Sequence, residues 1–205
     1  MKTEDKNMES LILEAAEKLF VEQGFASTTT AQIAKLAGCN QALVHYYYRT
    51  KENLFDKVYE SKVRMMVQNI SNAQASGNTL QEKIATLIQV HFDFLMSNPQ
   101  LVSFVIREAT ANPERMKLLI DKLKQYPQTV LGQLNQELVG EIEAGKIRPI
   151  SGIDLLLTIF SLNVTPFLWR PIMQMALELD DSQYAELLKQ RKKEAVETVL
   201  SRLKV

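Results

Sequence analysis

The 205 residues are enough to bury a sizeable core, and a composition of 46% hydrophobic and 23% charged residues excludes a disordered or fibrous chain. The 24 basic and 24 acidic side chains balance, so any affinity for nucleic acid must come from a local cluster of charge. A single cysteine, Cys39, excludes an internal disulfide or a multi-cysteine metal site; with a polar N-terminus unlike a secretory signal, it predicts a cytoplasmic protein.

Apolar residues recur at three- and four-residue spacing along the chain, which predicts an all-α protein of about nine helices. The first helix is predicted from about Lys6 to Gln23, ending at Gly24. Later helices are expected to begin at side-chain caps or at proline. These starts lie at Thr29 with Gln32, Asn40, Thr50, Thr79 with Glu82, Asn98, Asn112, and Ser151 with Asp154.

The segment from Gly24 to Lys51 is locally cationic within a neutral chain. It contains no acidic residue, whereas Lys35, Arg49 and Lys51 are basic. A short helix, a tight turn at 38–40 and a second short helix have the spacing of a helix-turn-helix. We therefore predict that double-stranded DNA is a partner and that the start of the second short helix enters its major groove.

Several short motifs occur in a fixed register within residues 8–56. They are Ala16-x-x-Leu19-Phe20, Gly24-Phe25, Thr28-Thr29, Ile33-Ala34, Ala37-Gly38, Tyr46-Tyr47-Tyr48 and Lys51-x-x-Leu54. This pattern resembles the TetR family of bacterial transcriptional regulators. The resemblance implies a three-helix DNA-binding domain at 1–56 and a larger helical ligand-binding and dimerisation domain at 57–205, with the boundary inside the fourth helix.

We expect DNA contacts from the second short helix, the reading helix, and from neighbouring helix N-termini. Glutamine can pair with adenine, alanine or leucine can touch a thymine methyl, and backbone N–H groups at helix N-termini bind phosphate. The resemblance implies a phosphate contact for Tyr47 and packing for Tyr46 and Tyr48. The candidate DNA contacts are Thr28, Thr29, Asn40, Gln41, Ala42, Leu43, His45, Tyr47 and Lys51.

Leu43 and His45 depart from the family pattern. The family most often has Thr or Ser where this chain has Leu43, and Tyr where it has His45. These departures leave the operator sequence open.

The chain after residue 78 has no nucleophile motif, phosphate loop or paired-histidine site, so we expect no enzyme, cofactor or metal. Its aromatic and polar residues at helical spacing suggest a small-molecule cavity, although each is also explained as core. Asn163 and Trp169 are the hardest to explain by packing alone. The candidate ligand contacts are His91, Phe94, Phe104, Arg107, Tyr126, Asn163, Phe167 and Trp169.

The stretch Leu155 to Leu168 is apolar on almost every face, and the helix predicted over Ser182–Lys204 has one apolar stripe. Two such helices from each of two chains would form a four-helix homodimer interface, which the resemblance also implies. Polar and proline residues interrupt the apolar stretch and argue against a membrane partner. The candidate interface residues are Leu155, Leu156, Ile159, Leu187, Leu188, Ala195, Val196, Val199 and Leu200.

The resemblance implies a repressor that an unknown small-molecule effector releases from a near-palindromic operator. Three alternatives stay open: a regulator that activates or needs its ligand to bind DNA, a helical ligand-binding protein without specific DNA binding, and an all-helical enzyme. The enzyme reading would require clustered titratable residues on inward faces, and the sequence suggests no such cluster.

Overall fold

The structure, a computed structural model, describes residues 2–74, 77–114, 117 and 129–205. These residues form ten helices and no strand, which confirms the all-α prediction. The helices are α1 (Lys2–Ser27), α2 (Thr30–Ala37), α3 (Gln41–Tyr48), α4 (Lys51–Gln74), α5 (Leu80–Ser97), α6 (Leu101–Ala111), α7 (Thr129–Glu143), α8 (Gly152–Leu168), α9 (Arg170–Ala176) and α10 (Asp181–Leu203).

Predicted side-chain caps are present at the starts of α2, α3, α4, α5 and α8. At α2, Thr29 Oγ1 accepts the backbone N–H of Gln32, and the Gln32 side chain accepts that of Thr29. The acceptors at the other starts are Asn40 Oδ1, Thr50 Oγ1, Thr79 Oγ1 and Ser151 Oγ. The short connections between these helices are thus fixed by local hydrogen bonds.

Helix α1 is broken at Gly24, where φ is 83° and ψ is 171°, and one further helical turn follows to Ser27. The sequence placed the end of the first helix at this glycine. A Cβ atom there would lie 3.1 Å from Arg107 Nε, so both the positive φ and the close approach of Arg107 favour glycine.

The chain divides into two compact units. The first contains the described residues of Met1–Met65 and Ser103–Leu119, and the second contains those of Met66–Val102 and Ile120–Val205. The first unit therefore includes most of α6, a segment that the predicted boundary at residue 56 assigned to the C-terminal domain.

Aromatic rings form the centre of the first unit. Phe55 packs against Phe20 with centroids 5.1 Å apart, and Phe104 of α6 packs against Phe55 and Tyr59 at 5.8 and 5.5 Å. Within the same unit α2 packs on both α1 and α3. The ring of Phe104 thus completes a core whose other members, Phe20, Phe55 and Tyr59, come from α1 and α4.

The core of the second unit forms where α5, α8 and α10 pack against one another, with α7 and α9 against α8. This packing corrects part of the predicted dimer interface, because side chains that fill the chain's own core cannot also face a partner. The residues so buried are Leu155, Ile159, Leu188, Ala195 and Val199. Those only partly buried are Leu156, Leu187, Val196 and Leu200.

Helix α8 ends at Leu168, and α9 continues from Arg170 after a bend of 60°. Pro166 and Pro171 flank the bend. A proline ring clashes with the preceding helical turn and has no N–H to donate, so prolines favour a bend at this point. Within the described residues no single helix has the length and hydropathy needed to cross a bilayer; only α8 and α9 taken together meet that criterion, by length and composition.

Candidate nucleic-acid interface and buried polar pair

Helix α3 has an apolar inner face and a polar, aromatic outer face. Val44 and Tyr48 are buried, whereas Gln41, Ala42 and His45 are exposed. Two further predicted contacts, Leu43 and Tyr47, are half-buried. The exposed residues are among those that the sequence assigned to base edges, and α3 therefore presents a surface of the composition expected for the reading helix.

The packing role predicted for Tyr46 is wrong, because its side chain is 65% exposed. The packing role of Tyr48 is confirmed: it is buried, and its hydroxyl donates to the Glu9 carbonyl at 3.1 Å. Tyr46 lies one turn after Ala42, so helical spacing alone could have placed it on the outer face. Arg49, which follows the last helical residue with a φ of 66°, is also exposed. Neither was among the predicted contacts.

Two side chains of the reading helix are held in place by the protein itself. Gln41 Nε2 donates to Thr30 Oγ1 at 2.7 Å, which leaves Gln41 Oε1 and one amide hydrogen for another partner. His45 Nδ1 lies 3.1 Å from the Arg49 carbonyl, which can only accept, so Nδ1 carries the hydrogen. In the neutral ring Nε2 is then an acceptor, suited to the amino group of cytosine or adenine in the major groove.

Other predicted contacts prove to hold the backbone between α1 and α2. Thr28 is fully buried; its hydroxyl donates to the Gly24 carbonyl at 2.8 Å and accepts from Gln23. Lys51 Nζ donates to the carbonyls of Phe25 and Thr28 at 3.0 and 2.9 Å and lies 4.2 Å from the Phe25 ring centroid. Burial thus corrects the phosphate contact expected from Thr28, and Lys51 retains only one uncommitted N–H.

Thr29 and Asn40 are exposed at the N-termini of α2 and α3, where their side-chain oxygens accept capping hydrogen bonds. The exposed cations on these two helices are Lys35 and, at the end of α3, Arg49. Two helix N-termini and two exposed cations in a segment without acidic residues are features that attract phosphate.

Helix α6 completes the first unit around the break in α1. Arg107 Nη2 donates to the Phe20 carbonyl at 3.3 Å, and the buried Glu108 carboxylate accepts the N–H of Phe25 at 3.2 Å. Side chains of α6 thereby bond to two backbone groups at the break. Phe104 and Arg107, predicted to line a ligand cavity, contribute instead to this packing.

In the second unit, His91 of α5 and Asn163 of α8 form a buried polar pair, 2% and 0% exposed. Asn163 Nδ2 donates to the Ile88 carbonyl at 3.0 Å and lies 3.1 Å from His91 Nδ1. The same NH₂ group faces both, so Nδ1 accepts and the ring hydrogen is on Nε2. Burial lowers the pKa of His91 to about 4, and the ring is neutral near pH 7.

The remaining predicted ligand contacts belong to the second unit. Phe94 is buried, and Phe167 packs on Phe92 with centroids 5.2 Å apart, whereas Trp169 is 51% exposed at the bend between α8 and α9. Tyr126 lies outside the described residues. In the described part of the chain no three His, Cys, Asp or Glu residues group as metal ligands.

Two family models match most of the chain. Residues 12–58 match the model for bacterial regulatory proteins of the tetR family, and residues 81–199 match the tetracyclin repressor-like C-terminal domain. Together they include the reading helix and the buried polar pair.

Similar proteins are named as regulators or repressors. The fatty acid metabolism regulator protein of Bacillus subtilis is 26% identical over 147 residues, covering 71% of this chain and 73% of that protein. The transcriptional repressor NicS of Pseudomonas putida is 28% identical over 151 residues, covering 72% of this chain and 67% of that protein.

Solved structures share the fold. The regulator FadR of Bacillus subtilis, in complex with stearoyl-CoA, gives a TM-score of 0.68 at 22% identity and covers 94% of this chain and 98% of that one. The ketosteroid transcriptional regulator KstR2 of Mycobacterium tuberculosis gives a TM-score of 0.68 at 19% identity and covers 96% of this chain and 95% of that one.

Proposed function

Because this chain belongs to the TetR family of bacterial regulatory proteins, we propose that it is a cytoplasmic, sequence-specific repressor that a small molecule releases from its operator. The observation that carries this proposal is the outer face of α3, where Gln41 and His45 are exposed and oriented by hydrogen bonds within the first unit. Polar groups aimed outward from a reading helix are the means by which base edges are distinguished.

Phosphate contacts would come from the cationic surface beside that face. Lys35 and Arg49 are exposed, and the N-termini of α2 and α3 offer backbone N–H groups. Tyr46 adds a large exposed ring with a hydroxyl, able to reach either a phosphate or a base edge. These residues supply both the nonspecific and the specific part of DNA binding.

A homodimer would double this surface, because one short helix makes few base contacts. Helix α8 supports dimerisation through Ile153 and Leu157, which lie one turn apart and are 54% and 57% exposed. The partly buried Leu187 of α10 lines a groove of about 530 Å³ against α8. Exposed apolar side chains at helical spacing are typical of a helix that packs on a partner. In such a dimer the two reading helices would lie about 34 Å apart, and the operator would have to be a near-palindrome.

The relatives guide the choice of effector and of regulatory sign. One is named as a repressor, one as a regulator of fatty acid metabolism, and a solved neighbour carries stearoyl-CoA. Stearoyl-CoA is therefore the first compound to test as a releasing ligand. A gain of DNA affinity on its addition would instead favour a regulator that needs its ligand.

The test is fluorescence anisotropy of the purified full-length protein with the DNA that flanks its own gene, across a salt series, with a scrambled duplex as control. We expect tight binding to the flanking DNA that weakens steeply with salt. Equal weak binding to both duplexes at every salt concentration would contradict sequence-specific regulation through that DNA.

Two matched pairs of variants locate the surface. Lys35→Ala should weaken binding to both duplexes, whereas Lys18→Ala, at an exposed lysine on α1, should not. His45→Ala should reduce the preference for the flanking DNA by about 1–3 kcal/mol, and Lys57→Ala, at an exposed position on α4, should leave it unchanged. Equal effects within a pair would exclude α2 and α3 as the DNA-binding surface.

A further inference from the structure

The buried pair of His91 and Asn163 has one hydrogen-bond donor and one acceptor left over. Both N–H bonds of the Asn163 amide are used, one toward Ile88 and one toward His91. What remains is the Nε2–H of His91 and the Oδ1 of Asn163, and neither finds a hydrogen-bond partner among the described residues. Leaving such groups unpaired in a core costs free energy, so a core under selection for stability alone would favour apolar side chains here.

Apolar side chains lie beside the pair. The ring of Phe160 meets His91 edge-on with centroids 4.8 Å apart, and the neighbouring turn of α8 carries the buried Ile159. An ionised group placed against the pair would lose its hydration without meeting an opposite charge on either residue. A neutral polar group would lose less hydration free energy, and hydrogen bonds to the pair would offset that loss.

We propose that His91 and Asn163 recognise a neutral polar group of the effector, a hydroxyl or carboxamide next to an apolar body, which accepts from His91 Nε2–H and donates to Asn163 Oδ1. A carboxylate can accept but cannot donate, and an ammonium can donate but cannot accept, so each satisfies only half of the pair. This inference rests on the proposed function, since it names the chemistry of the releasing ligand.

The first test uses the two histidines of the chain as reporters in the full-length protein. Ring ¹⁵N resonances of His45 and His91 are assigned with His91→Phe and followed by NMR as benzyl alcohol, benzamide, benzoate or benzylammonium is added. We expect benzyl alcohol and benzamide to shift the Nε2 resonance of His91 and to leave that of His45 unchanged. If none of the four shifts His91, or if all four do so equally, the proposal is wrong.

The second test separates recognition of the head group from simple filling of space. Benzyl alcohol and toluene have the same apolar body, so loss of the pair should affect only the alcohol. Asn163→Leu should weaken benzyl alcohol binding about tenfold, the equivalent of one hydrogen bond, and leave toluene binding unchanged. The control Gln89→Leu removes an exposed amide from the same helix as His91 and should change neither. Equal weakening of both probes by Asn163→Leu would assign the pair a structural role only.

Operator binding in the absence of any probe distinguishes this inference from the proposed function. Both pair variants should bind operator DNA as the wild type does, because the pair lies in the second unit and the reading helix in the first. A protein that shows the expected probe selectivity but binds no DNA would contradict the proposed repressor and leave the recognition chemistry standing. A protein that binds DNA and lacks the selectivity would contradict the inference alone.

Discussion

Substitution of Lys51 by methionine separates two roles that the sequence could not distinguish. Methionine keeps an unbranched, flexible stem and removes the ammonium, which donates to the carbonyls of Phe25 and Thr28 and stacks on the Phe25 ring. If the ammonium holds the α1–α2 connection, Lys51→Met destabilises the protein. If it contacts only phosphate, the substitution weakens DNA binding and leaves stability unchanged.

The expected loss follows from the contacts. A hydrogen bond to a charged group is worth about 1.5–3 kcal/mol when buried, and the half-buried position of Lys51 reduces each to about 1 kcal/mol. The cation–π contact adds about 0.5 kcal/mol. We therefore expect Lys51→Met to lower the free energy of unfolding by about 2–3 kcal/mol.

Urea unfolding followed by circular dichroism measures this loss, and anisotropy across a salt series measures the DNA contribution. A lost phosphate contact would reduce the slope of log affinity against log salt by about 0.9. Lys35→Met is the matched control, since Lys35 is exposed and should change the slope without changing stability. An unfolding free energy of Lys51→Met within about 0.5 kcal/mol of the wild type would refute the structural role.

Three further predictions follow from single contacts. Glu108→Ala should cost about 1–3 kcal/mol in urea unfolding because it removes the buried carboxylate that accepts from the Phe25 N–H, and Glu108→Gln, which keeps an acceptor, should cost less. Leu157→Glu should shift a dimer toward monomer in sedimentation velocity with the helical content unchanged, and an unshifted dimer would place the interface elsewhere. The pKa of His91 is lowered to about 4, so the unfolded chain takes up a proton at a higher pH than the folded chain does. The contribution of His91 to stability is therefore full above pH 6.5, and about 3 kcal/mol of stability is lost as the pH falls toward 4. His91→Phe should remove that part of the pH dependence.

Local rules predicted the helix starts because the interactions concerned are local. A capping box needs only residues three apart, and the boxes at Thr29 and Thr79 are both present. The outer face of α3 follows from helical spacing in the same way, and Tyr46 was missed only because the family resemblance outweighed that spacing. Ala42 was expected on the outer face of α3, and Tyr46 lies one turn after it, so the spacing already placed Tyr46 on that face.

Roles that depend on distant partners could not be predicted in this way. Lys51 has the position of a phosphate contact by sequence, and its partners Phe25 and Thr28 are visible only once the helices are packed. The expectation that Leu155 faces a partner was wrong for a related reason. Leu155 and Leu157 are equally apolar, and a helix that is apolar on every face does not reveal by composition which side its own core covers.

The break at Gly24 explains why the first unit needs a segment from eighty residues further along the chain. Buried backbone carbonyl and N–H groups need hydrogen-bond partners, and a break disturbs the regular pattern of those bonds along a helix. Glu108 accepts from Phe25, and Arg107 donates to Phe20, so α6 supplies partners for both kinds of group. The direction in which the chain leaves α1 for α2, and with it the placement of the reading helix, is therefore fixed in part by α6. Residues that read no base can thus alter DNA affinity, because they hold the backbone from which the reading helix is presented.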